Sequence, residues 1–225
     1  VEALKRAAEL MDIPLRNASA AVVGAAGAMG QVCAELLADD VARLALIGRR
    51  ADPLEVLRDR LQGQARSEVV VSTGMESLAE SQLILTVTSA VHAVIQPEYL
   101  RPGSVVCDVA RPRDVSAMVA AARDDIFVID GGMVDVPGPV DFHFNFGFPP
   151  GKAYACMAET MALALEGRFE DYTLGKRITR ARVEEISAIA RKHGFRLSGF
   201  RSFEKEVTQA QIEAVRRTAK RARRN

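Results

Sequence analysis

Ala20-Ala-Val-Val-Gly-Ala-Ala-Gly-Ala-Met-Gly30 is an apolar run of strand character that turns through three glycines into a helical pattern, Gln31 to Ala38. A junction of this kind is suited to a phosphate. Gly24 permits a tight turn, Gly27 lets the backbone approach a pyrophosphate with no side chain between, and Gly30 allows the helix to close on the strand. Ala28 and Met29 fall in the first helical turn, where backbone amides favour an anion. The spacing is GxxGxxG, not the stricter GxGxxG, so taken alone it also fits any tight strand-to-helix junction.

The next strand pattern, Arg43 to Ile47, ends in Gly48-Arg49-Arg50, where a NAD-preferring domain usually carries an acid for the ribose hydroxyls. Guanidinium forks match phosphate oxygens and stay charged. Arg49 and Arg50 therefore point to a ribose 2′-phosphate and to NADPH, the alternative being a solvated charge pair at a strand end.

Outward from these two tips the chain alternates. Strand patterns lie near 20–23, 43–47, 68–72, 82–87, 104–109 and 126–130. Helical patterns lie at 28–39, 52–62, near Met75, from about Val91 and at 114–122. Six strands joined by crossovers imply an α/β fold, a doubly wound parallel sheet of the Rossmann type, with a C-terminal helical extension. Ligands of such sheets sit beyond the carboxyl ends of the strands. Thr88 and Ser89 are candidates to line the nicotinamide or ribose there, and Asp108 with Arg111 to hold backbone or substrate groups; each serves equally well as a capping residue.

The expected organisation is a linker helix over 1–17, a nucleotide-binding domain over 18–150 and a helical segment over 151–225, its helices running from about Lys152 to Glu166, near 179–193 and from about Phe203 onward. Residues 131–151 have no periodicity, are rich in proline and glycine and carry the aromatic run Phe142-His-Phe-Asn-Phe-Gly-Phe148. Loops of that length inside a domain are usually functional.

Across 225 residues the formal charge is +1, yet Arg216 to Arg224 hold six basic residues and no acid, which leaves the remainder mildly acidic. That tail reads as a frayed, solvated helix end in preference to a docking site for an acidic partner; no nucleic-acid partner is expected. Cys33, Cys107 and Cys156 lie far apart without metal spacing, so neither a disulfide framework nor a metal site is indicated. No apolar run reaches the roughly 18 residues that cross a bilayer, and no signal-peptide pattern opens the chain. A soluble, cytoplasmic protein is the expectation. The start at Val1 reads as the middle of a longer protein.

Cys156 follows Pro149-Pro150-Gly151 near the start of a helix, where unpaired amides and the helix dipole favour a thiolate and Lys152 could add positive potential. The competing reading is a small apolar residue of a packed helix. Cys107 lies in a buried-strand pattern and Cys33 on the core side of the first helix of the nucleotide domain.

Together with the glycine stretch, Asp130-Gly-Gly-Met-Val134, Ala153-Tyr-Ala-Cys-Met-Ala-Glu-Thr-Met161, Glu166-Gly-Arg-Phe169 and Lys192-His-Gly-Phe195 resemble, in order and spacing, the long-chain acyl-(acyl-carrier-protein) reductases of cyanobacterial type. The resemblance covers roughly residues 1 to 200. It implies that Cys156 becomes acylated by a thioester substrate and that Gly24, Gly27 and Gly30 hold NADPH, which reduces the acyl-enzyme to an aldehyde. The implied partner is an acyl thioester on acyl carrier protein or coenzyme A; a homo-oligomer and a place within a longer chain are both compatible with it. That family carries an acyl-binding region ahead of the nucleotide domain, and Val1 falls at its far edge, while residues beyond about Gly199 extend past the family's usual end. Two other readings stand beside this one. The first is an NADP oxidoreductase of shikimate-dehydrogenase or glutamyl-tRNA-reductase type, which needs no thiol; the second is a non-catalytic NADP-binding module of a larger assembly.

Overall fold

A computed structural model describes residues 1–223 apart from 146, 148, 174, 176 and 177, and the chain falls into two units. The first gathers Val1–Gly131 with Arg201–Asn225 and the second is Gly132–Phe200, so the units do not follow the linear order of the chain.

The first unit is built on β1 (Ser19–Val23), β2 (Arg43–Ile47), β3 (Glu68–Ser72), β4 (Leu83–Thr86), β5 (Val105–Asp108) and β6 (Phe127–Asp130). They form one sheet in the order β3-β2-β1-β4-β5-β6, parallel throughout. β1, β4, β5 and β6 are near-continuous apolar runs because both faces of the sheet are covered. The order reverses between β1 and β4, and that switch point is where such sheets take ligands.

Helix α1 (Glu2–Leu10) buries Leu4, Ala7 and Ala8, spaced three and four apart, against β4 and β5. Helix α2 (Ala28–Ala38) packs on β1 and β2, and α3 (Ala51–Gln62) on β2 and β3. On the opposite face Val23, Ile47, Ile84, Val106 and Val128 meet Leu78, Ile95, Val115 and Val119, the last from the short helix α4 (Ala117–Ala122).

The helix expected from about Val91 does not form. Ile95 instead makes a parallel bridge with Val115, and a 3₁₀ turn, Pro97–Tyr99, follows. Val91 lies too close to Pro97 for a helix, proline biases its predecessor toward extended backbone, and the amides of Val94 and Ile95 are taken by the carbonyl of Asp114 at 2.8 and 2.9 Å. Helix α4 likewise starts later than expected, at Ala117, with Ser116 as its N-cap.

In the second unit β7 (Met133–Asp135) pairs antiparallel with both β8 (Lys152–Tyr154) and β9 (Arg196–Leu197). Helices α5 (Ala155–Leu165) and α6 (Arg180–Lys192) pack through Ala158, Ala162, Ile189 and Phe195. The small sheet interrupts the purely helical extension expected here.

Residues 201–223 return to the first unit. A hairpin of β10 (Arg201–Ser202) and β11 (Lys205–Glu206) turns through Phe203 and Glu204, both with positive φ, where a helix was expected. Helix α7 (Gln209–Ala222) then begins with a capping box between Thr208 and Gln211. Its basic end is docked, not frayed. Lys220 pairs with Asp12 at 2.7 Å, and Arg223 donates to the carbonyls of Met11 at 3.1 Å and Gly103 at 2.5 Å. Among the described residues no helix is long and apolar enough to cross a membrane.

Candidate functional site

The β1–α2 turn shows why each glycine is there. Gly24 has φ +83°, and a Cβ on it would lie 2.9 Å from the carbonyl oxygen of Val87. A Cβ on Gly30 would lie 2.2 Å from the carbonyl oxygen of Gly24, a backbone collision that nothing flexible can relieve. Gly27 differs: it is the N-cap of α2 with an ordinary φ of −73°, and its added Cβ would only crowd the same oxygen at 3.3 Å. The fold therefore demands glycine at 24 and 30, whereas a Cβ at position 27 would be tight against one backbone oxygen without a collision. No side chain caps α2, so Ala28 and Met29 open the helix with first-turn amides that lack intrahelical acceptors. The Met29 side chain is 49% exposed.

Past the tip of β2, Arg49 and Arg50 are exposed, and among the described residues neither has an ion-pair partner. Neighbouring arginines are engaged: Arg58 with Asp59 and Arg60 with Glu35, each at 2.7 Å. The two cations at the strand tip are left available to an anion.

At the ends of β4, β5 and β6, Thr86, Asp108 and Asp130 stand side by side in register. Asp108, expected to reach a ligand, is fully buried. Its carboxylate accepts the amides of Ala110 and Val115, each at 3.0 Å, and so ties down the loop after β5. Burial pushes this carboxyl up and the charge of Asp114 adds to the push, against the amide hydrogen bonds. Arg111 is exposed and donates to the carbonyl of Ala110 at 2.7 Å.

Sequence reasoning missed Asp114. This residue is fully buried; its carboxylate accepts the Thr88 amide at 2.9 Å and the hydroxyls of Thr86 and Thr88. The one proton of the Thr88 hydroxyl is thereby committed, and its oxygen also accepts the Ala90 amide at 3.1 Å. Ser89 is exposed beyond it. Asp114 follows Pro112 in a loop, and nothing in that local pattern distinguishes a buried acid from a solvated one. Asp130 receives both terminal nitrogens of Arg113 and the Glu204 amide at 2.9 Å, while Arg113 lies 5.3 Å over the Phe203 ring. Burial pulls the Asp130 carboxyl upward, but the Arg113 and Glu204 hydrogen bonds outweigh it and hold the group below the ordinary aspartate range.

In the second unit Cys156 lies in the first turn of α5 and is exposed. Lys152 is not part of this helix. It sits on β8, where its ammonium donates to Asp135 Oδ1 and Ser198 Oγ, each at 2.8 Å, so its charge is spent on Asp135 and not on the thiol. Cys33 is half-buried and raised by that burial; Cys107 is buried and pushed up to about 11. One turn beyond Cys156, Glu159 accepts the hydroxyl of Thr173. His143 is exposed, with its ring 3.4 Å from Asp141.

The sequence profile of the shikimate/quinate 5-dehydrogenases matches residues 5–131, more than half of the chain. The chain belongs to that family. The match covers the parallel sheet of the first unit. Among curated relatives, aminotransferase PigE of Serratia sp. is 32% identical over 220 residues, 96% of this chain and 26% of that protein. The long-chain acyl-(acyl-carrier-protein) reductase of Synechococcus elongatus is 30% identical over 200 residues, 85% of this chain and 57% of that protein. The chain thus spans about a quarter of the first relative and somewhat over half of the second. The solved glutamyl-tRNA reductase of Methanopyrus kandleri superposes with a TM-score of 0.48 at 20% identity, covering 98% of this chain and 42% of that one.

Proposed function

We propose that this chain is the NADP(H)-binding part of an oxidoreductase that acts on a carbonyl centre. The observation that carries this reading is the arginine pair beyond β2, without an ion-pair partner among the described residues and with no acid in the sequence at the strand tip. The turn fits a dinucleotide: Gly27 leaves the N-terminus of α2 bare, with a milder steric demand for glycine than Gly24 or Gly30, and the first-turn amides of Ala28 and Met29 suit a pyrophosphate. Gly24 and Gly30 fix that geometry, Arg49 and Arg50 take the 2′-phosphate, and Ser89 faces the nicotinamide half. Thr88 and Asp108 act from behind, through the loops they anchor. Bound NADPH is the hydride donor. The cytoplasmic setting expected from the sequence belongs to this reading.

Family membership supports reduction of the shikimate-dehydrogenase kind, which uses no thiol. A specific observation favours a thioester substrate: Cys156 is an exposed thiol in the first turn of a helix, and the relationship to the acyl-(acyl-carrier-protein) reductase runs beyond residue 131. In this version the Cys156 thiolate forms a bond to the acyl carbon, and the carrier sulfur leaves and takes a proton. Hydride addition to the acyl-enzyme then breaks the carbon–sulfur bond, which releases the aldehyde and restores the thiolate.

Incubation with an acyl-coenzyme A in the absence of NADPH, followed by peptide mass mapping, tests the thioester version. The expected result is an acyl mass on Cys156, lost in Cys156→Ser while NADPH affinity stays within twofold. An adduct confined to Cys33 or Cys107, or aldehyde formation undiminished in the serine variant, would leave the thiol-free reading in its place.

A further inference from the structure

The segment Thr88–Ile95 leaves the sheet at the β1/β4 switch point. Its root lies against the glycine turn, because the Val87 carbonyl oxygen is only 2.9 Å from where a Gly24 side chain would begin. Ser89, Val91, His92 and Ala93 are exposed. One buried residue on the neighbouring loop holds both ends of this segment. The Asp114 carboxylate takes the amide and hydroxyl of Thr88 at the start, and the Asp114 carbonyl takes the amides of Val94 and Ile95 at the end, at 2.8 and 2.9 Å. A fully buried carboxylate is costly unless its oxygens are satisfied. Here both oxygens are satisfied by the loop and by Thr86, which makes the loop's shape a condition of burying the charge.

We propose that Asp114 is a positioning residue for the nicotinamide half of the cofactor. It acts through Thr88, and it holds Ser89 to Ala93 in the conformation that receives the dinucleotide before the dinucleotide arrives. The proposal rests on the NADP(H) reading above. A preformed loop gives affinity because ordering costs are met in folding and not on binding.

The test is fluorescence titration of the full chain with NADPH, alongside thermal melting. Four variants are compared: Asp114→Asn, Thr88→Val, Thr88→Ser and a control, Asp125→Asn. Asp125 is a comparable buried anchor, holding Arg123 at 2.8 and 2.9 Å and the Gly103 amide at 3.1 Å, but it precedes β6 at the opposite edge of the sheet. Asp114→Asn and Thr88→Val should each weaken NADPH about tenfold. Thr88→Ser, which keeps the hydroxyl, should stay within about twofold. Asp125→Asn should lower the melting temperature and leave affinity within about twofold. Unchanged affinity in Asp114→Asn or Thr88→Val would overturn the proposal, as would equal losses in Thr88→Ser and Thr88→Val or a loss in the control that tracks its melting temperature. If Asp114→Asn does not fold, the Thr88 pair decides. Failure of the unaltered chain to bind NADPH would bring down the cofactor reading and this inference with it, whereas binding that survives in Asp114→Asn brings down the inference alone.

Discussion

Asp108 and Asp130 are neighbours in register at the ends of β5 and β6, yet their surroundings move them in opposite directions. Asp108 meets backbone amides and the charge of Asp114, and burial raises it; Asp130 meets the Arg113 guanidinium and is lowered. A lowered folded-state value means that the Asp130 contribution is fully present above the ordinary aspartate range and is lost as the pH falls through the folded value. The raised Asp108 has the opposite sign and favours folding less as its carboxyl ionises. Breaking the Asp130–Arg113 pair leaves a partly buried cation with only the exposed Glu204, at 3.5 Å, as its counter-charge, so Asp130→Asn should cost roughly 3 kcal/mol near neutral pH, or about 10 °C of melting temperature. The deficit should shrink as the pH falls below the ordinary aspartate range and through the lower folded value, where the native Asp130 is protonated as well. A series of melting curves from neutral to acid pH checks this; a deficit that is constant with pH would mean that the pair contributes by shape and not by charge.

At the scale of elements, most of the sheet was legible because the apolar runs of β1, β2, β4, β5 and β6 and the two strand tips announce themselves in short local patterns. What was not legible depended on partners distant in sequence. Val91 to Ile95 carry a helical rhythm of apolar residues, but the amides of Val94 and Ile95 are claimed by Asp114, some twenty positions on. Lys152 reads as the first residue of a helix, but Asp135 and Ser198 draw it onto β8. Asp108 was identifiable as a residue of the ligand edge, but its turn toward Ala110 and Val115 could not be seen without the loop. The glycine turn allows a sharp separation of roles. Gly30→Ala places a methyl against backbone and should cost about 3 kcal/mol, near the upper end for overpacking. Gly27→Ala should change the melting temperature little and weaken NADPH several-fold. Thermal melting and NADPH titration of the two variants read this directly, and equal loss of stability in both would deny Gly27 its role toward a ligand.

At the scale of the whole molecule, the first unit is closed by a segment from the far end of the chain. Phe203 and Glu204 meet Arg113 and Asp130, and Lys220 and Arg223 hold Met11 and Asp12 just after α1 and Gly103 just before β5. Within the basic cluster of the sequence, Arg216, Lys220 and Arg223 are thus spent on contacts within the chain. The family match covers the sheet of this unit, and the proposed function depends first on the selection of NADP(H) by its glycine turn and arginine pair. Charge-assisted hydrogen bonds are worth roughly 1.5–3 kcal/mol each, so the 2′-phosphate should be worth at least about tenfold in affinity. The decisive measurement is a pair of titrations, NADPH and NADH, on the unaltered chain and on the double variant Arg49→Gln, Arg50→Gln. The account predicts that NADPH binds at least about ten times more tightly than NADH and that the double variant loses this preference while NADH affinity is unchanged; matching curves for the two cofactors on the unaltered chain would contradict it.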